Sequence, residues 1–326
     1  MSQLGLFNSE PPPQAARLAP KLRALAMQGV YIGTSSWKYE GWLGEIYSLD
    51  RYTTRGKFSQ AKFDAECLRE YAETFPAVCG DFSFYQFPTA SYWKKLFGGS
   101  PESLVFAFKV PEEITVATWP NHARYGSRAG QENKGFLDPR LFETAFAKPL
   151  SPYRDRVASM IFEFGTFPKR VFAHPGEFLS RLDAFLSLLP EGFRYSVEIR
   201  NPEYLGPDYF ATLAAHNTAH VFNAWTRMPE IADQVTLPGS FTADFTVARA
   251  LLPRGRTYEN AVANLSPYKS IQEPSESVRN ALRYLINRSL RLRKAAFLFV
   301  NNRLEGNAPG TIEAVVSDFG EGSLPL

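Results

Sequence analysis

The stretch Arg194–Pro202, with the sequence RYSVEIRNP, has the pattern of a short β-strand that ends in charged residues and is stopped by a proline. Successive side chains of a strand point to opposite faces, so Glu198 and Arg200 share the face opposite to Val197 and Ile199. A carboxylate and a guanidinium at the end of an otherwise apolar strand are costly to bury without partners. Comparable strands that close on a polar residue recur along the chain, and this repetition indicates the fold.

Length and composition limit the classes of protein to consider. The 326 residues suffice for one large barrel domain or two ordinary domains. A net charge of +3 argues neither for nor against a nucleic-acid partner. No apolar run approaches the roughly 18 residues that span a bilayer, and residues 1–28 lack the pattern of a secretory signal. Cys67 and Cys79 form no metal-binding or redox spacing, so we expect a reducing cytoplasm.

Apolar runs alternate with segments that have helical periodicity. Helical spacing of apolar residues marks Asp64–Phe75, Phe178–Leu189 and Val278–Arg293, and Asp138-Pro139 has the pattern of a capped helix start. The runs between the helices are continuous rather than alternating, as expected for parallel strands buried on both faces. The predicted strands are Val30–Thr34, Val78–Phe84, Leu104–Lys109, Ala158–Glu163, Arg194–Ile199, Ala219–Asn223, Phe241–Phe245 and Ala295–Asn301.

Eight β/α units within about 300 residues predict a TIM (β/α)₈ barrel. We expect a single barrel domain over residues 29–326, preceded by an N-terminal tail and short helix over residues 1–28. A doubly wound open sheet is the competing architecture, and it would place a glycine-rich phosphate turn after the first strand. That position reads Gly33–Trp37, GTSSW, which is no such fingerprint.

Several sequence motifs follow one another in a characteristic order along the chain. They are Ile32–Tyr39 with Trp42 and Gly44, Phe84-Tyr85 with Pro88, Phe106–Pro111 before Ile114-Thr115, Glu198–Arg200, and Asn301-Asn302 with Gly306, Ala308 and Pro309. Taken together, these motifs resemble the YecE-like family, a domain of unknown function (number 72) with a TIM-barrel fold. The resemblance runs from about Tyr31 to the last helix. It implies the barrel fold and leaves function open, because the family name carries no established activity.

The chain departs from the family pattern at several positions, which indicates a divergent member. Histidines of the family are replaced by Val116 and Asn201, and a His-Gly pair of the seventh strand is replaced by the segment Leu251–Arg256. Any reaction of the family that required these histidines would lack them in this chain. Three further departures are Cys79 and Asp81 in place of a Glu and an Asn, and Tyr204 in place of a Trp.

Charged residues close several of the predicted strands, where TIM barrels place their active sites. Alternation puts Lys109 on the face of Val105 and Ala107, so its side chain could point into the barrel mouth. The charges could form an acid–base site, or they could neutralise one another in a rigid network. The candidate catalytic residues are Glu198, Lys109 and Glu163, and the candidate substrate-binding residues are Arg200, Asp81, Tyr85, Trp37, Asn301 and Asn302.

The enzyme hypothesis assigns chemistry to these residues. Glu198 would transfer a proton or ligate a metal, while Lys109 and Arg200 would hold a phosphate or carboxylate. The reaction would be hydrolysis, a lyase reaction or isomerisation of a small phosphorylated or sugar-like compound. The sequence leaves open a divalent cofactor such as Mg²⁺ or Mn²⁺. Its oxygen ligands would come from Asp81, Glu163, Glu198 and Asp244.

An aromatic cluster follows the first predicted strand. It consists of Trp37, Tyr39, Trp42 and Tyr47. These rings could stack on a sugar or a base, or they could cover the barrel mouth and pack against neighbouring rings. The second interpretation is slightly favoured, because Trp and Tyr are commonly part-buried at such edges.

A non-catalytic alternative is binding of nucleic acid or another anionic ligand through an arginine-rich surface. A solvated helix face is the commoner explanation of such charges. Position separates the hypotheses, because arginines on the outer flank of the barrel would lie away from the mouth. The basic residues concerned are Arg279, Arg283, Arg288, Arg291, Arg293 and Lys294 near the last long helix, and Arg124, Arg128 and Lys134 in a long loop.

Overall fold

Eight parallel strands close into a barrel in the computed structural model, which describes residues 12–167 and 170–319. Each strand pairs in parallel with its neighbours, and the first strand pairs with both the second and the eighth. The TIM-barrel prediction is therefore confirmed. The strands are β1 (Val30–Thr34), β2 (Ala77–Gly80), β3 (Val105–Lys109), β4 (Val157–Phe164), β5 (Tyr195–Ile199), β6 (Ala219–Ala224), β7 (Thr246–Ala250) and β8 (Ala296–Val300).

Helices alternate with the strands, and the start of α5 has the capping arrangement expected from its sequence. The Asp138 carboxylate accepts hydrogen bonds from two backbone N–H groups at the start of one helix, with Pro139 at its first position, as predicted. The helices are α1 (Pro13–Met27), α2 (Gln60–Thr74), α3 (Ala90–Gly98), α4 (Glu112–Thr115), α5 (Pro139–Phe142), α6 (Lys148–Leu150), α7 (Pro175–Leu186), α8 (Pro207–Ala215), α9 (Ile231–Gln234), α10 (Tyr258–Leu265), α11 (Glu276–Leu292), α12 (Asn302–Glu305) and α13 (Ala308–Val316).

The first helix belongs to the outer layer of the barrel. It contacts β1, α2 and α13, and it buries Leu18, Leu22 and Leu25. Much of the N-terminal tail expected from the sequence falls on residues 1–11, which lie outside the described residues. None of the described helices is long and apolar enough to cross a membrane.

Two layers of core flank the strands. The larger layer packs the outer faces of the strands against the helices. The inner layer fills the barrel with apolar side chains that range in size from alanine to phenylalanine, and polar residues lie beyond it at the carboxyl end of the strands. It includes Cys79, Ala107, Ile161, Val221, Val247 and Phe299.

Strands β1 and β2 approach each other closely at Gly33. A Cβ atom at this position would lie 1.7 Å from the carbonyl oxygen of Ala77, which is much closer than real Cβ atoms approach other heavy atoms. The Tyr71 hydroxyl, supplied by α2, donates to the same Ala77 oxygen at 2.8 Å and accepts from the Thr34 N–H at 3.0 Å. Gly33 therefore lets the first two strands pair.

The seventh strand was predicted five residues too early. The expected strand Phe241–Phe245 is wrong, because Thr246 pairs with Ala296 and fixes the register of β7 against β8. Asp244 therefore precedes the strand and lies at the amino end of the barrel, where its carboxylate accepts from the Asn217 side chain at 3.1 Å.

The second strand is shorter than predicted and ends at Gly80. Residues 81–85 therefore lie in the loop that follows β2, where the Ser83 hydroxyl donates to the Lys109 carbonyl oxygen at 2.6 Å.

Candidate functional site

Six charged side chains meet at the carboxyl end of the barrel. The alternation of strand residues decides which ones point inward, because each follows an inward-facing core residue by two positions. Thus Lys109 follows Ala107, Glu163 follows Ile161 and Arg249 follows Val247. We call the set the ionic cluster. It comprises Lys109, Glu163, Glu198 and Arg249 from the strands, with Asp81 and Arg200 from the residues that follow β2 and β5.

Arg249 lies at the centre of the ionic cluster and is buried. Its Nη1 atom contacts Glu163 Oε2 at 2.9 Å and also contacts Glu198 Oε2, while Nη2 lies 3.2 Å from Asp81 Oδ1. Glu163 and Glu198 are side-by-side partners on β4 and β5. Burial alone would lower the pKa of Arg249, but Glu198, Cys79, Asp81 and Glu163 outweigh it and raise that pKa well above its usual value.

Three cations converge on one oxygen of Glu163. Its Oε2 atom lies 2.9 Å from Lys109 Nζ, 2.8 Å from Arg200 Nη2 and 2.9 Å from Arg249 Nη1, so the nearest contact with each cation is made by Oε2 rather than Oε1. Burial alone would raise the pKa of Glu163, but the charges of Arg200, Lys109 and Arg249 hold it below its usual value. Glu163 is therefore ionised at neutral pH.

Glu198 is enclosed by its partners. Its side chain is fully buried, Oε1 accepts from Nε and Nη2 of Arg200 at 3.1 and 3.0 Å, and Oε2 contacts Arg249. Both carboxylate oxygens are thus used to hold two arginines.

Solvent reaches the ionic cluster mainly at Asp81, whose side chain is 41% exposed. Aromatic rings flank the cations beside it. Lys109 Nζ lies 3.8 Å from the centre of the Phe84 ring, and the Arg200 guanidinium lies 3.7 Å from the Trp225 ring. The accessible face of the site therefore combines a carboxylate, two partly covered cations and two rings.

The predicted aromatic residues lie outside the ion pairs. Tyr85 is 61% exposed and stacks on the Arg124 guanidinium, 4.7 Å from the ring centre. Trp37 is largely buried, with its ring edge against Phe82. Trp42 is fully buried and forms part of the core beneath the rim.

The side-chain oxygens of the two predicted asparagines accept from backbone N–H groups at the starts of α12 and α13. Asn301 accepts from the Arg303 N–H at 2.9 Å, and Asn302 accepts from the Ala308 N–H at 2.7 Å. Their oxygens therefore position the backbone after β8 rather than joining the ionic cluster.

Arg249 was missed because the seventh strand was placed too early. The signal was present in the run Thr246–Ala250, TVARA, where Val247 and Arg249 alternate like Ala107 and Lys109. When an arginine follows an inward-facing apolar residue by two positions in such a run, its side chain is expected to point into the barrel.

The carboxylates do not form a metal site. Glu163 and Glu198 are ion-paired with arginines, and Asp244, one of the expected ligands, lies at the opposite end of the barrel. Within residues 12–167 and 170–319, no group of three or more His, Cys, Asp or Glu residues is arranged to hold a metal ion. The side chains present therefore do not fit the Mg²⁺ or Mn²⁺ considered from the sequence.

Most of the arginines considered for nucleic-acid binding have partners on the protein. Arg124 pairs with Glu112 and Arg128 with Glu113. Arg279 pairs with Glu276 and Glu305, Arg283 binds the Ala314 carbonyl oxygen, and Arg288 stacks on Phe241. Arg291, Arg293 and Lys294 are exposed just before β8, at the end of the barrel opposite to the ionic cluster.

The fold and the ionic cluster together define a TIM-barrel protein with a charged, partly aromatic mouth. The sequence matches the family described as Protein of unknown function DUF72 over residues 31–324. The chain belongs to this family, for which YecE-like is another name. The resemblance inferred from the motifs is thus confirmed.

Solved structures of the same family have a similar fold. A DUF72 family protein from Thermotoga maritima superposes with a TM-score of 0.57 and 17% identity, covering 89% of this chain and 98% of that chain. For a DUF72 family protein from Enterococcus faecalis the TM-score is 0.60 and the identity 14%, covering 91% of this chain and all of the other. No curated protein matches this chain in sequence.

Proposed function

We propose that the chain is an enzyme that acts on a small, neutral, polyhydroxyl substrate of the sugar type at the ionic cluster. The observation that carries the proposal is the state of Glu163, a buried carboxylate held ionised by three cations that all contact Oε2. Oε1 is left to accept a hydrogen bond from a substrate hydroxyl. Buried charge clusters seldom stabilise a fold better than apolar packing, which favours a functional reason for this one.

The balance of charge supports a neutral substrate over a phosphorylated one. The three cations of the ionic cluster, Lys109, Arg200 and Arg249, face three carboxylates. A phosphate would meet no uncompensated positive charge and would have to displace a carboxylate. Hydroxyl groups both donate and accept, so they match a surface that presents both kinds of partner. The Phe84 and Trp225 rings could stack on the C–H face of a sugar.

The geometry also supports a division of roles. Glu198 holds Arg200 and Arg249 and has no free oxygen, so the proton-transfer role expected of it fits Asp81 better. Asp81 is the exposed carboxylate of the ionic cluster, within 3.8 Å of Lys109 Nζ. In this proposal Asp81 moves the proton, Glu163 anchors a hydroxyl, and Lys109 and Arg200 orient the two carboxylates. A hydrolysis, lyase or isomerase reaction could use this set.

The setting we propose is the cytoplasm, and the two cysteines support it. Cys67 and Cys79 are both free and buried, and burial raises the pKa of each thiol to about 12. Such thiols stay protonated and unreactive in a reducing compartment.

The test is a binding and turnover screen with methyl glycosides, free sugars and sugar phosphates. We expect a neutral sugar compound to bind wild type and the Asp81→Asn variant with similar affinity, while turnover in the variant falls at least about 100-fold. The Asp244→Asn variant is the matched control, because that carboxylate lies at the other end of the barrel. Binding of sugar phosphates alone, or full turnover by Asp81→Asn, would contradict the proposal.

A further inference from the structure

A cavity of about 120 Å³ lies beside the ionic cluster, between the loops that follow β6 and β7 and the first turn of α11. Its walls are mainly apolar and include Met228, Pro229, Pro253 and Val278, with Trp225 on the side of the mouth. Met228 and Val278 are buried, so these walls are held by the core.

Backbone hydrogen bonds tie the two loops together below the cavity. The Ala224 carbonyl oxygen accepts from the N–H groups of Leu251 and Leu252 at 3.3 and 3.1 Å, and the Thr226 carbonyl accepts from Gly255 at 2.8 Å. The cavity is therefore built in advance rather than formed by closure of a loop, as is usual for small-molecule sites.

Trp225 connects the cavity to the ionic cluster. The Arg200 guanidinium lies 3.7 Å from the centre of the indole ring, and the same residue lines the cavity. A substrate with its hydroxyl groups at Asp81 and Glu163 could therefore carry a substituent past Trp225. We propose that this cavity is a subsite for a single six-membered apolar ring attached to the polyhydroxyl head group. The inference rests on the proposed function and names its substrate class as a ring-substituted glycoside.

Size and charge select this substituent. A cavity of 150 Å³ in another protein accepts benzene, so about 120 Å³ suits one ring with an open side and not a fused pair of rings. Glu230 and Arg254 both line the cavity, and their opposite charges favour neither an anionic nor a cationic group. Stacking on Trp225 adds a preference for a flat ring.

Matched ligands test the subsite. The affinities of methyl and phenyl glycosides of glucose, mannose and xylose would be measured by titration calorimetry. We expect the phenyl compound of the preferred sugar to bind wild type about 10-fold more tightly than the methyl compound, or about 1.4 kcal/mol. In Val278→Phe the new ring fills the cavity, so this ratio should fall below about 2-fold while methyl glycoside affinity is retained. Leu292→Phe, at the exposed end of the same helix, is the control and should keep the 10-fold ratio.

A second variant guards against misfolding of the first. Ser275 also lines the cavity, so the new ring in Ser275→Phe should fill it as well. The backbone N–H of this residue, which donates to Glu305, is unchanged by the substitution. Equal binding of methyl and phenyl glycosides by wild type would overturn the subsite and leave the proposed function standing. Retention of the 10-fold ratio in both filling variants would place the ring elsewhere and also overturn it. If no glycoside binds wild type, the proposed function fails and this inference fails with it.

Discussion

Nη1 of Arg249 lies 2.9 Å from Oε2 of Glu163, so a guanidinium from β7 reaches across the barrel to a carboxylate on β4. The same atom contacts Glu198, the in-register neighbour of Glu163 on β5. Two carboxylates side by side in a dry space repel each other strongly. Arg249 therefore allows both to be ionised within the barrel.

Removal of Arg249 should destabilise the protein. We expect Arg249→Met to lower the free energy of unfolding by about 3–5 kcal/mol, because two buried carboxylates lose their shared partner. Urea unfolding followed by circular dichroism measures the change. Arg291→Met, at an exposed position, is the control and should stay within about 0.5 kcal/mol of wild type. Combining Arg249→Met with Glu198→Gln should recover part of the loss, and a loss below about 1 kcal/mol in the single variant would contradict this account.

Glu163 should make stability fall in acid. The pKa of its carboxyl is lower in the folded protein than the usual 4.5, so its stabilising contribution is complete above about pH 4.5 and is lost as pH falls below that value. Unfolding free energies measured from pH 6 down to pH 3 in wild type and Glu163→Gln should therefore converge as the pH decreases. A difference between them that stays constant down to pH 3 would count against an ion-paired Glu163.

His220 should give a second pH dependence in a different range. Burial lowers the pKa of this imidazole from 6.5 to about 4, and its neighbours are the Tyr209 hydroxyl and the Gln234 amide. The unfolded chain takes up a proton near pH 6.5 and the folded chain does not. Stability is thus complete above pH 6.5 and falls by about 3 kcal/mol as pH decreases towards 4.

The variant His220→Gln isolates this effect. Its unfolding free energy should lack the slope between pH 6.5 and pH 4 that wild type shows. His216→Gln is the control, because His216 is partly exposed and bonds Asp183 at 2.8 Å. If the unfolding free energies of wild type and His220→Gln changed with pH in parallel, the buried imidazole would not be the source of the pH dependence.

Gly33 should tolerate no side chain. In Gly33→Ala the new methyl group would overlap the Ala77 carbonyl oxygen, so β1 and β2 could not keep their register. We expect little folded protein, or a loss of more than about 4 kcal/mol in thermal unfolding. Gly98→Ala, at the end of α3, meets no atom within 4 Å and should be near neutral. A stable Gly33→Ala variant would mean that the barrel closes differently at this point.

The sequence predicts the fold and, for physical reasons, five of the six residues of the ionic cluster, all but Arg249. Apolar runs that alternate with helical segments specify a barrel, and Lys109, Glu163 and Glu198 each close such a run on an inward-facing position. Arg249 is harder to find, because the start of β7 is fixed by its pairing with Ala296 on β8 and not by local composition. The preceding segment Phe241–Phe245, FTADF, carries two phenylalanines and competes with the true strand for the assignment.

Contacts across the barrel are also beyond sequence reasoning. The pairing of Arg249 with Asp81 joins residues 168 positions apart, and no periodicity relates them. The contact of Glu198 with Arg249 likewise depends on which strands face each other, whereas its contact with Arg200, two residues further on, follows from alternation alone. Alternation predicts which side chains point inward, whereas only the closed barrel decides which of them meet.

The equal numbers of positive and negative groups in the ionic cluster also affect how fast a ligand arrives. A mouth lined by one sign of charge attracts oppositely charged molecules from a distance, and salt slows their capture. Here three cations and three carboxylates give the ionic cluster no net charge. Diffusional encounter with the barrel mouth should therefore be nearly independent of ionic strength, and discrimination between molecules should arise only after they touch it.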